Sequence, residues 1–219
     1  KEKIKKKHNS NKNIFFQKNN IIESTNNKNE NSEKNGIVFN KKITSKNYIT
    51  IGFAAPLRIR VKSLDVFIKI IKELHKKFPI KVITAGTGED ELFFTSNLKE
   101  ILGCNNYKHL GWLNSLKKFY QNIDLLIIPS RYDSCPNFLL ESINVENIKI
   151  IASDIPSHRE ILNEDKLLFP LEDIKITLKK IDNLLKIPEE EYLSYREEIK
   201  SNFKFNWENE ACKIIYRDL

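Results

Sequence analysis

The stretch Asp124–Ser142, DLLIIPSRYDSCPNFLLES, contains the pattern that decides the fold. Its first part, Asp124–Ile128, is predicted to be a short strand, apolar after its first residue. A polar loop follows, and apolar residues then take helical spacing over Asn137–Val145. A strand this apolar is typical of a parallel sheet that is covered by helices on both faces.

The same alternation continues on both sides of this unit. Five further strands are predicted, at Tyr48–Ala54, Ile80–Ala85, Tyr107–Leu110, Lys149–Ala152 and Lys166–Phe169. The other predicted helices are Ser63–Lys77, Glu91–Leu102, Asn114–Asn122, Ser157–Leu162, Ile174–Leu185, Glu189–Ser201 and Glu208–Tyr216. Because crossovers between parallel strands are right-handed, this order predicts a doubly wound, parallel, Rossmann-like α/β sheet. Ligands of such sheets bind beyond the carboxyl ends of the strands.

Composition excludes several classes of protein. The chain has 219 residues, 40% hydrophobic and 30% charged, so a sizeable core can form. No apolar run approaches the roughly 20 residues that cross a bilayer, and no secretory leader is visible. Three widely spaced cysteines form neither a disulfide framework nor a zinc pattern, which favours a reducing, cytoplasmic setting. The chain begins with Lys1 and contains no Met, so we expect an upstream part.

The first 36 residues differ in composition from the rest. They are rich in Asn, Lys, Ser and Glu and lack sustained periodicity, which predicts a flexible linker or insertion over 1–36. Nine Lys and four Glu in residues 1–34 supply +5 of the net charge of +8. Such a run either solubilises the chain or attracts anionic lipid or an acidic polymer. No recognised nucleic-acid motif is present, so nucleic acid is not expected as a partner.

The loop after Asp124–Ile128 carries the richest chemistry. Pro136 stands just before the helix, where its missing N–H costs little. The backbone N–H groups of Asn137, Phe138 and Leu139 are predicted to point out of the helix start. Together with the helix dipole they form an anion site suited to a diphosphate.

Two carboxylates flank this helix start. Asp133 lies before the turn and Glu141 lies one turn inside the helix, so both can face one ligand. A second interpretation makes Asp133 a turn former and Glu141 a solvated helix residue. An acid–base pair of the hydrolase type is a weaker interpretation, because two carboxylates are common in any loop.

This pattern resembles the donor-binding signature of family 4 retaining glycosyltransferases, which have the GT-B architecture of two Rossmann-like domains. The signature is an acid, seven residues and a Glu, and Asp133 and Glu141 hold those places with Pro136, Asn137 and Leu140 between them. The resemblance implies that the first acid contacts the transferred sugar and that the second hydrogen-bonds the ribose hydroxyls. The family usually has Glu first, so Asp133 is a departure.

Further matches follow in the order of the family. Gly52 is predicted to close the first strand, and KSLD from Lys62 resembles the Lys-Gly-Leu-Asp whose lysine binds the donor diphosphate. An ordinary solvated lysine is the alternative. The family often has Arg after the first-strand Gly, where this chain has Phe53. Arg58 or Arg60 is the candidate for the second cation, and ordinary surface charges are the equal alternative for both.

Two segments resemble the nucleotide side of the family's site. Gly86 and Gly88 lie in AGTGED, which resembles a turn beside the nucleotide where glycines allow close backbone approach. Trp112 and Leu113 lie in HLGWL, which resembles the segment that frames the base. For Trp112 a rim or core aromatic is the other interpretation.

The last part of the chain carries weaker matches and one departure. SDIPSHREI from Ser153 resembles the loop after the next strand, and its His158 is predicted to be structural. Phe205-Asn206-Trp207 resembles the Phe-Ser-Trp that precedes the last helix of GT-B enzymes. After Glu141 the chain reads SINVENIKIIASD, without the Gly and Pro of the family, so this turn is built differently.

The resemblance implies that residues 37–219 form the nucleotide-sugar-binding half of a GT-B enzyme. The expected reaction moves a sugar from a nucleoside diphosphate sugar to a hydroxyl of an acceptor glycan or lipid-linked glycan, with retention. Its expected catalytic residues are Asp133, Glu141 and Lys62, and no metal cofactor is expected. The acceptor site lies in the N-terminal domain of this family, so we expect the isolated chain to be almost inactive.

Three rival functions remain at this point. A degenerate nucleotide-binding or scaffolding domain is favoured by the missing Arg, by Asp133 and by the altered turn. A phospho-receiver needs an acidic cluster after the first strand, and Gly52-Phe53-Ala54 offers none. A GT-B epimerase is the weakest of the three. The expected location is the cytoplasm, with peripheral contact at the cytoplasmic membrane face.

Overall fold

A computed structural model describes residues 47–145 and 147–202 of the chain. The predicted linker 1–36, the Phe205–Trp207 segment and the predicted helix Glu208–Tyr216 lie outside the described residues. The domain boundary after Gly36 therefore stays a prediction.

Six strands form one sheet in which every neighbouring pair is parallel. They are β1 (Ile49–Ala54), β2 (Ile80–Ala85), β3 (Tyr107–His109), β4 (Leu125–Ile128), β5 (Lys149–Ser153) and β6 (Leu168–Phe169). Their order across the sheet is β3-β2-β1-β4-β5-β6. Every residue of β1, β4 and β5 is buried, because helices cover both faces. The predicted doubly wound, Rossmann-like fold is confirmed.

The strand order reverses between β1 and β4, which lie side by side although β2 and β3 separate them along the chain. β1 pairs with β2 along its whole length, but with β4 only at Ile51 and Gly52. We call this short boundary the β1–β4 seam. In doubly wound sheets, ligands bind outside the carboxyl ends of the strands at such a reversal.

Eight helices flank the sheet within the described residues. They are α1 (Ile59–Lys62), α2 (Leu64–Lys77), α3 (Glu91–Leu102), α4 (Lys117–Tyr120), α5 (Asn137–Ile143), α6 (Pro156–Leu162), α7 (Ile174–Lys186) and α8 (Glu189–Asn202). α2 packs against α3 and α7, whereas α5 packs against α8. None of the described helices combines the length and the apolar character needed to cross a bilayer.

Neighbouring residues of β1 show which helices cover each face of the sheet. The Phe53 ring lies 4.8 Å from that of Phe67 in α2 and 5.1 Å from that of Phe94 in α3, between centroids. Gly52 faces the opposite side, where an added Cβ would lie 2.5 Å from Ile123 Cδ1 and 3.0 Å from Phe119 of α4. The prediction that Gly52 closes the strand is wrong, since β1 continues for two residues and packing requires the glycine.

The sequence pattern misses one helix and misjudges other ends. α1 has no counterpart in the prediction, and Ser63, with a φ of 49°, separates it from α2. The helix expected at Asn114–Asn122 is limited to α4. The strand expected at Lys166–Phe169 is a 3-10 turn (Asp165–Leu167) followed by the two residues of β6.

Two buried cations hold helix ends. Lys149 of β5 is 4% exposed and donates from Nζ to three carbonyl oxygens at the end of α7. These belong to Leu184 (2.8 Å), Leu185 (3.3 Å) and Ile187 (2.6 Å). Burial lowers the pKa of Lys149. Arg196 of α8 is also buried and donates to the carbonyl oxygen of the last α5 residue.

Candidate functional site

A small open cleft lies at the carboxyl ends of β1 and β4, where the strand order reverses. The segment after β1, the end of α1, the loop after β4 and the start of α5 form its walls. The lining residues are Phe53, Ala54, Ala55, Pro56, Lys62, Ile127, Ile128, Pro129, Ser130, Asp133, Phe138 and Leu139. The cleft therefore occupies the place where this fold class binds ligands.

Two of the predicted site residues meet in this cleft. Lys62 Nζ at the end of α1 donates to Asp133 Oδ2 in the loop after β4, at 2.7 Å. Their side chains are only 17% and 15% exposed, so water screens the pair weakly. The structure thus places a cation and a carboxylate together beyond the β1–β4 seam, where they form an ion pair with each other.

A second ion pair, which the sequence pattern did not reveal, crosses the same boundary. Arg131 donates from both terminal nitrogens to the two carboxylate oxygens of Asp65 in α2, each at 2.9 Å, and also to the Ile59 carbonyl at 3.1 Å. These bonds hold the pKa of Asp65 below its usual range. The Arg131 N–H donates to the Val61 carbonyl at 2.8 Å. The loop after β4 is thereby fixed to α1 and α2.

The start of α5 retains two of its three predicted free amides. The Asn137 N–H donates to the Cys135 carbonyl at 2.8 Å, so the prediction that it points out freely is wrong. The N–H groups of Phe138 and Leu139 find no hydrogen-bond acceptor within the described residues. Both residues line the cleft. Two amides and the positive end of the helix dipole are thus available to an anion.

Glu141 lies outside the cleft lining, on an exposed part of α5. It follows Phe138 by three residues and so shares its helix face. The Phe138 ring stacks on Tyr120 of α4 with centroids 5.8 Å apart. Burial, followed by the charge of Glu141, raises the pKa of Tyr120. The Tyr120 hydroxyl is buried and has no hydrogen-bond partner in the described part of the chain.

The two glycines after β2 allow close approach to the neighbouring loop of this chain. Gly86 has a φ of 116°, and an added Cβ would lie 1.9 Å from the Ala55 carbonyl oxygen. At Gly88 the same atom would lie 2.4 Å from the Leu57 carbonyl oxygen. The Leu57 N–H donates to the Thr87 carbonyl at 2.9 Å. Contacts within the protein therefore explain both glycines, and a nucleotide contact for them stays a prediction.

Trp112 is a surface residue. Its side chain is 73% exposed, whereas Leu113 is half-buried against the core. The Gly86 N–H donates to the Gly111 carbonyl at 2.8 Å, so the Trp112 loop and the glycine turn lie together. The interpretation of Trp112 as a core aromatic is excluded, and an exposed ring beside the turn is available for stacking.

The second cation has no fixed place in the cleft. Phe53, at the position of the family's Arg, is 2% exposed within the phenylalanine cluster. Arg58 and Arg60 are exposed, and within residues 47–145 and 147–202 their side chains form no ion pair. Lys62 is consequently the one cation among the residues that line the described cleft.

His158 lies in the core beneath one wall of the cleft. It is fully buried, and Nδ1 donates to the Ser153 carbonyl at 3.0 Å, which assigns the proton to that nitrogen. Ser153 Oγ donates to the carbonyl of the cleft residue Ser130 at 2.5 Å. Burial lowers the pKa of His158, which keeps the ring neutral. These bonds favour the predicted structural role.

The fold and the cleft define a Rossmann-like domain with a candidate ligand site at the switch point. A family model described as "Glycosyl transferases group 1" matches residues 48–186. The chain therefore belongs to the group 1 glycosyl transferases, which confirms the resemblance seen in the sequence. No curated protein matches the chain in the comparison made.

Solved glycosyltransferases share the fold. The catalytic domain of cholesterol-α-glucosyltransferase from Helicobacter pylori is 19% identical, with a TM-score of 0.58 over 72% of this chain and 99% of that one. TarM from S. aureus is 17% identical, with a TM-score of 0.64 over 76% and 34%. A glycosyltransferase from Rickettsia africae is 18% identical, with a TM-score of 0.62 over 81% and 50%. The chain thus matches a third to a half of the latter two, as one half of a GT-B fold.

Proposed function

We propose that this domain binds the nucleoside diphosphate sugar for an enzyme that transfers the sugar to an acceptor hydroxyl with retention of configuration. One observation carries the proposal: the Lys62 ammonium and the unpaired amides of Phe138 and Leu139 belong to one cleft at the switch point. A cation beside free helix-start amides suits the charge of a diphosphate.

Donor binding requires Lys62 to exchange partners. In the free protein its ammonium neutralises Asp133. A diphosphate offers more negative charge, so the ammonium turns to it and Asp133 becomes free to accept a hydrogen bond from the transferred sugar. Glu141 binds the ribose hydroxyls from the exposed side of α5. When the diphosphate departs, Lys62 and the two amides stabilise the charge on its oxygens in the transition state.

The proposed donor site needs no metal, because the ammonium and the amides supply the positive charge. In the described part of the chain no group of three or more His, Cys, Asp or Glu side chains is placed to hold a metal ion. We therefore expect nucleotide affinity to be unchanged by EDTA. A loss of binding on chelation would contradict this part of the proposal.

Two neighbours in fold guide the choice of ligand. The S. aureus TarM structure contains UDP and α-GlcNAc-glycerol, and the Helicobacter pylori protein is a cholesterol-α-glucosyltransferase. UDP is therefore the first nucleotide to test, and glycan or lipid hydroxyls are the acceptor class, in polysaccharide or glycoconjugate biosynthesis. We propose that a second GT-B domain carries the acceptor site and that the enzyme works in the cytoplasm.

The test is calorimetric titration of the full chain with UDP and with GDP. Lys62→Gln removes a charge-assisted contact and should weaken binding by about tenfold or more. Lys69→Gln is the matched control, because it removes one positive charge from an exposed α2 side chain that lies outside the cleft lining and forms no ion pair in the described chain. It should change affinity by less than about twofold.

Each other outcome has a defined meaning. Equal losses in both variants would show a general charge effect and contradict the role of Lys62. Binding of neither nucleotide by the unaltered chain would favour a non-catalytic scaffolding domain. Robust sugar transfer by this chain alone would contradict the need for a second domain.

A further inference from the structure

The charges on the surface of this domain are segregated by helix. Every exposed charged residue of the adjacent helices α2 and α7 is a lysine. We call these residues the lysine face: Lys69, Lys72, Lys76, Lys77, Lys175, Lys179 and Lys186.

The acidic residues of the same two helices do not neutralise this face. Asp65 is held by Arg131, Glu73 by Lys76 at 2.6 Å, and Asp182 by Lys186 at 2.7 Å. The other five lysines of the face form no ion pair in the described chain. A net positive surface remains after local pairing, and the exposed Glu172 and Asp173 border it at the start of α7.

The helix α8 shows the opposite pattern. Its exposed charged residues are all glutamates, at Glu190, Glu191, Glu197 and Glu198. α8 packs on α5, which shares its side of the sheet with α4, whereas α2 covers the Phe53 side. A lysine-rich composition explains many lysines, but not their separation from the glutamates.

We propose that the lysine face docks this domain on an anionic lipid bilayer. Ile176 lies beside Lys175 in the first turn of α7 and is 46% exposed, so an apolar side chain is available at the edge of the lysine face. Lysine stems lie along a membrane surface while their ammonium groups reach the headgroups. Each lysine near an anionic surface strengthens binding by about fivefold.

A second copy of the chain is the other occupant with matching charge, through its α8 glutamates. The lysine face and α8 lie on opposite sides of the sheet, so this contact does not close into a two-fold dimer. An anionic bilayer can contact all the lysines of the face at once and does not require a chain of repeated contacts between copies of the protein. The charge pattern therefore favours lipid.

The test measures sedimentation of the full chain with phosphatidylcholine vesicles that contain or lack phosphatidylglycerol. The double variant Lys175→Glu/Lys179→Glu should lower binding to anionic vesicles by about 25-fold or more, from two lysines at about fivefold each. The control Lys117→Glu/Lys118→Glu makes the same change of charge on exposed residues of α4, on the other side of the sheet. It should lower binding several-fold less, and neither double variant should alter UDP affinity.

Five results would overturn the proposal. The first is the absence of binding between the unaltered chain and anionic vesicles. The second is an equal loss of vesicle binding in the two double variants, which would assign binding to residues 1–34. The third is displacement of the chain from the vesicles by inorganic phosphate at constant ionic strength. The fourth is vesicle-free self-association that the α7 variant abolishes, and the fifth is equal binding to vesicles without phosphatidylglycerol. UDP titration of the same samples reports the donor site separately.

Discussion

At the residue scale, Gly86 and Gly103 show two different physical reasons for a glycine, which are backbone conformation and lack of space for a Cβ. Both have a positive φ, 116° and 72°, which side-chain-bearing residues rarely adopt. An added Cβ at Gly86 would meet the Ala55 carbonyl oxygen at 1.9 Å, whereas at Gly103 it would meet nothing within 4 Å. Only Gly86 therefore combines backbone strain with a steric clash.

We expect Gly86→Ala to lower the free energy of unfolding by about 2 kcal/mol more than Gly103→Ala does. Both variants carry the strain of a positive φ, of about 1–2 kcal/mol, but only the first forces backbone atoms apart. Urea unfolding of both variants measures the difference. Equal losses would mean that the loop after β1 moves aside without resistance.

Single residues also show where sequence reasoning stops. Lys62 and Asp133 were both predicted as site residues, because their motifs are local. Their mutual bond was not predictable, since it joins positions 71 residues apart through the strand order. Arg131 and Tyr120 were missed for the same reason. The sequence signal available for Arg131 was its place directly after Pro129-Ser130 at the end of β4. No sequence signal pointed to Tyr120.

Elements were predicted well wherever burial sets the pattern. β1 and β4 are almost wholly apolar, β2 alternates buried and half-buried residues over most of its length, and α2 shows clear helical spacing. The break between α1 and α2 was not predictable, because Ser63 adopts a left-handed conformation without a glycine to announce it. β6 is short since only Ala152 and Ser153 of β5 pair with it.

The Lys149 ammonium is expected to stabilise the end of α7. We expect Lys149→Met to lower the free energy of unfolding by about 3 kcal/mol, because three buried carbonyl oxygens lose their donor. Lys179→Met, on the exposed side of the same helix, should change it by less than about 0.5 kcal/mol. Chemical denaturation compares the two variants. A small effect at Lys149 would show that water replaces the ammonium.

At the scale of the whole molecule, buried tyrosines set the response to alkaline pH. Burial raises the pKa of Tyr107 to about 12 and also raises those of Tyr120 and Tyr192. Unfolded tyrosine has a pKa of about 10, so above that pH the unfolded chain releases protons that the folded chain keeps. The free energy of unfolding should fall as the pH rises from about 10 toward 12.

Urea unfolding in a series of alkaline buffers measures this fall. Tyr107→Phe should make the dependence on pH shallower, because one group with a raised pKa is removed. Ultraviolet absorbance follows tyrosine ionisation in the folded protein. Ionisation of all tyrosines near pH 10 without unfolding would contradict the burial that raises these pKa values.

The short β1–β4 seam has a consequence for how occupancy can be detected. Only Ile51 and Gly52 pair across it, and the bonds Lys62–Asp133 and Arg131–Asp65 join the same two halves of the domain above it. A molecule lodged between those halves cross-links parts of the chain that share little backbone pairing. A rise in melting temperature in the presence of small anions is thus a direct screen for ligands of the sugar-donor site, before any sugar transfer is attempted.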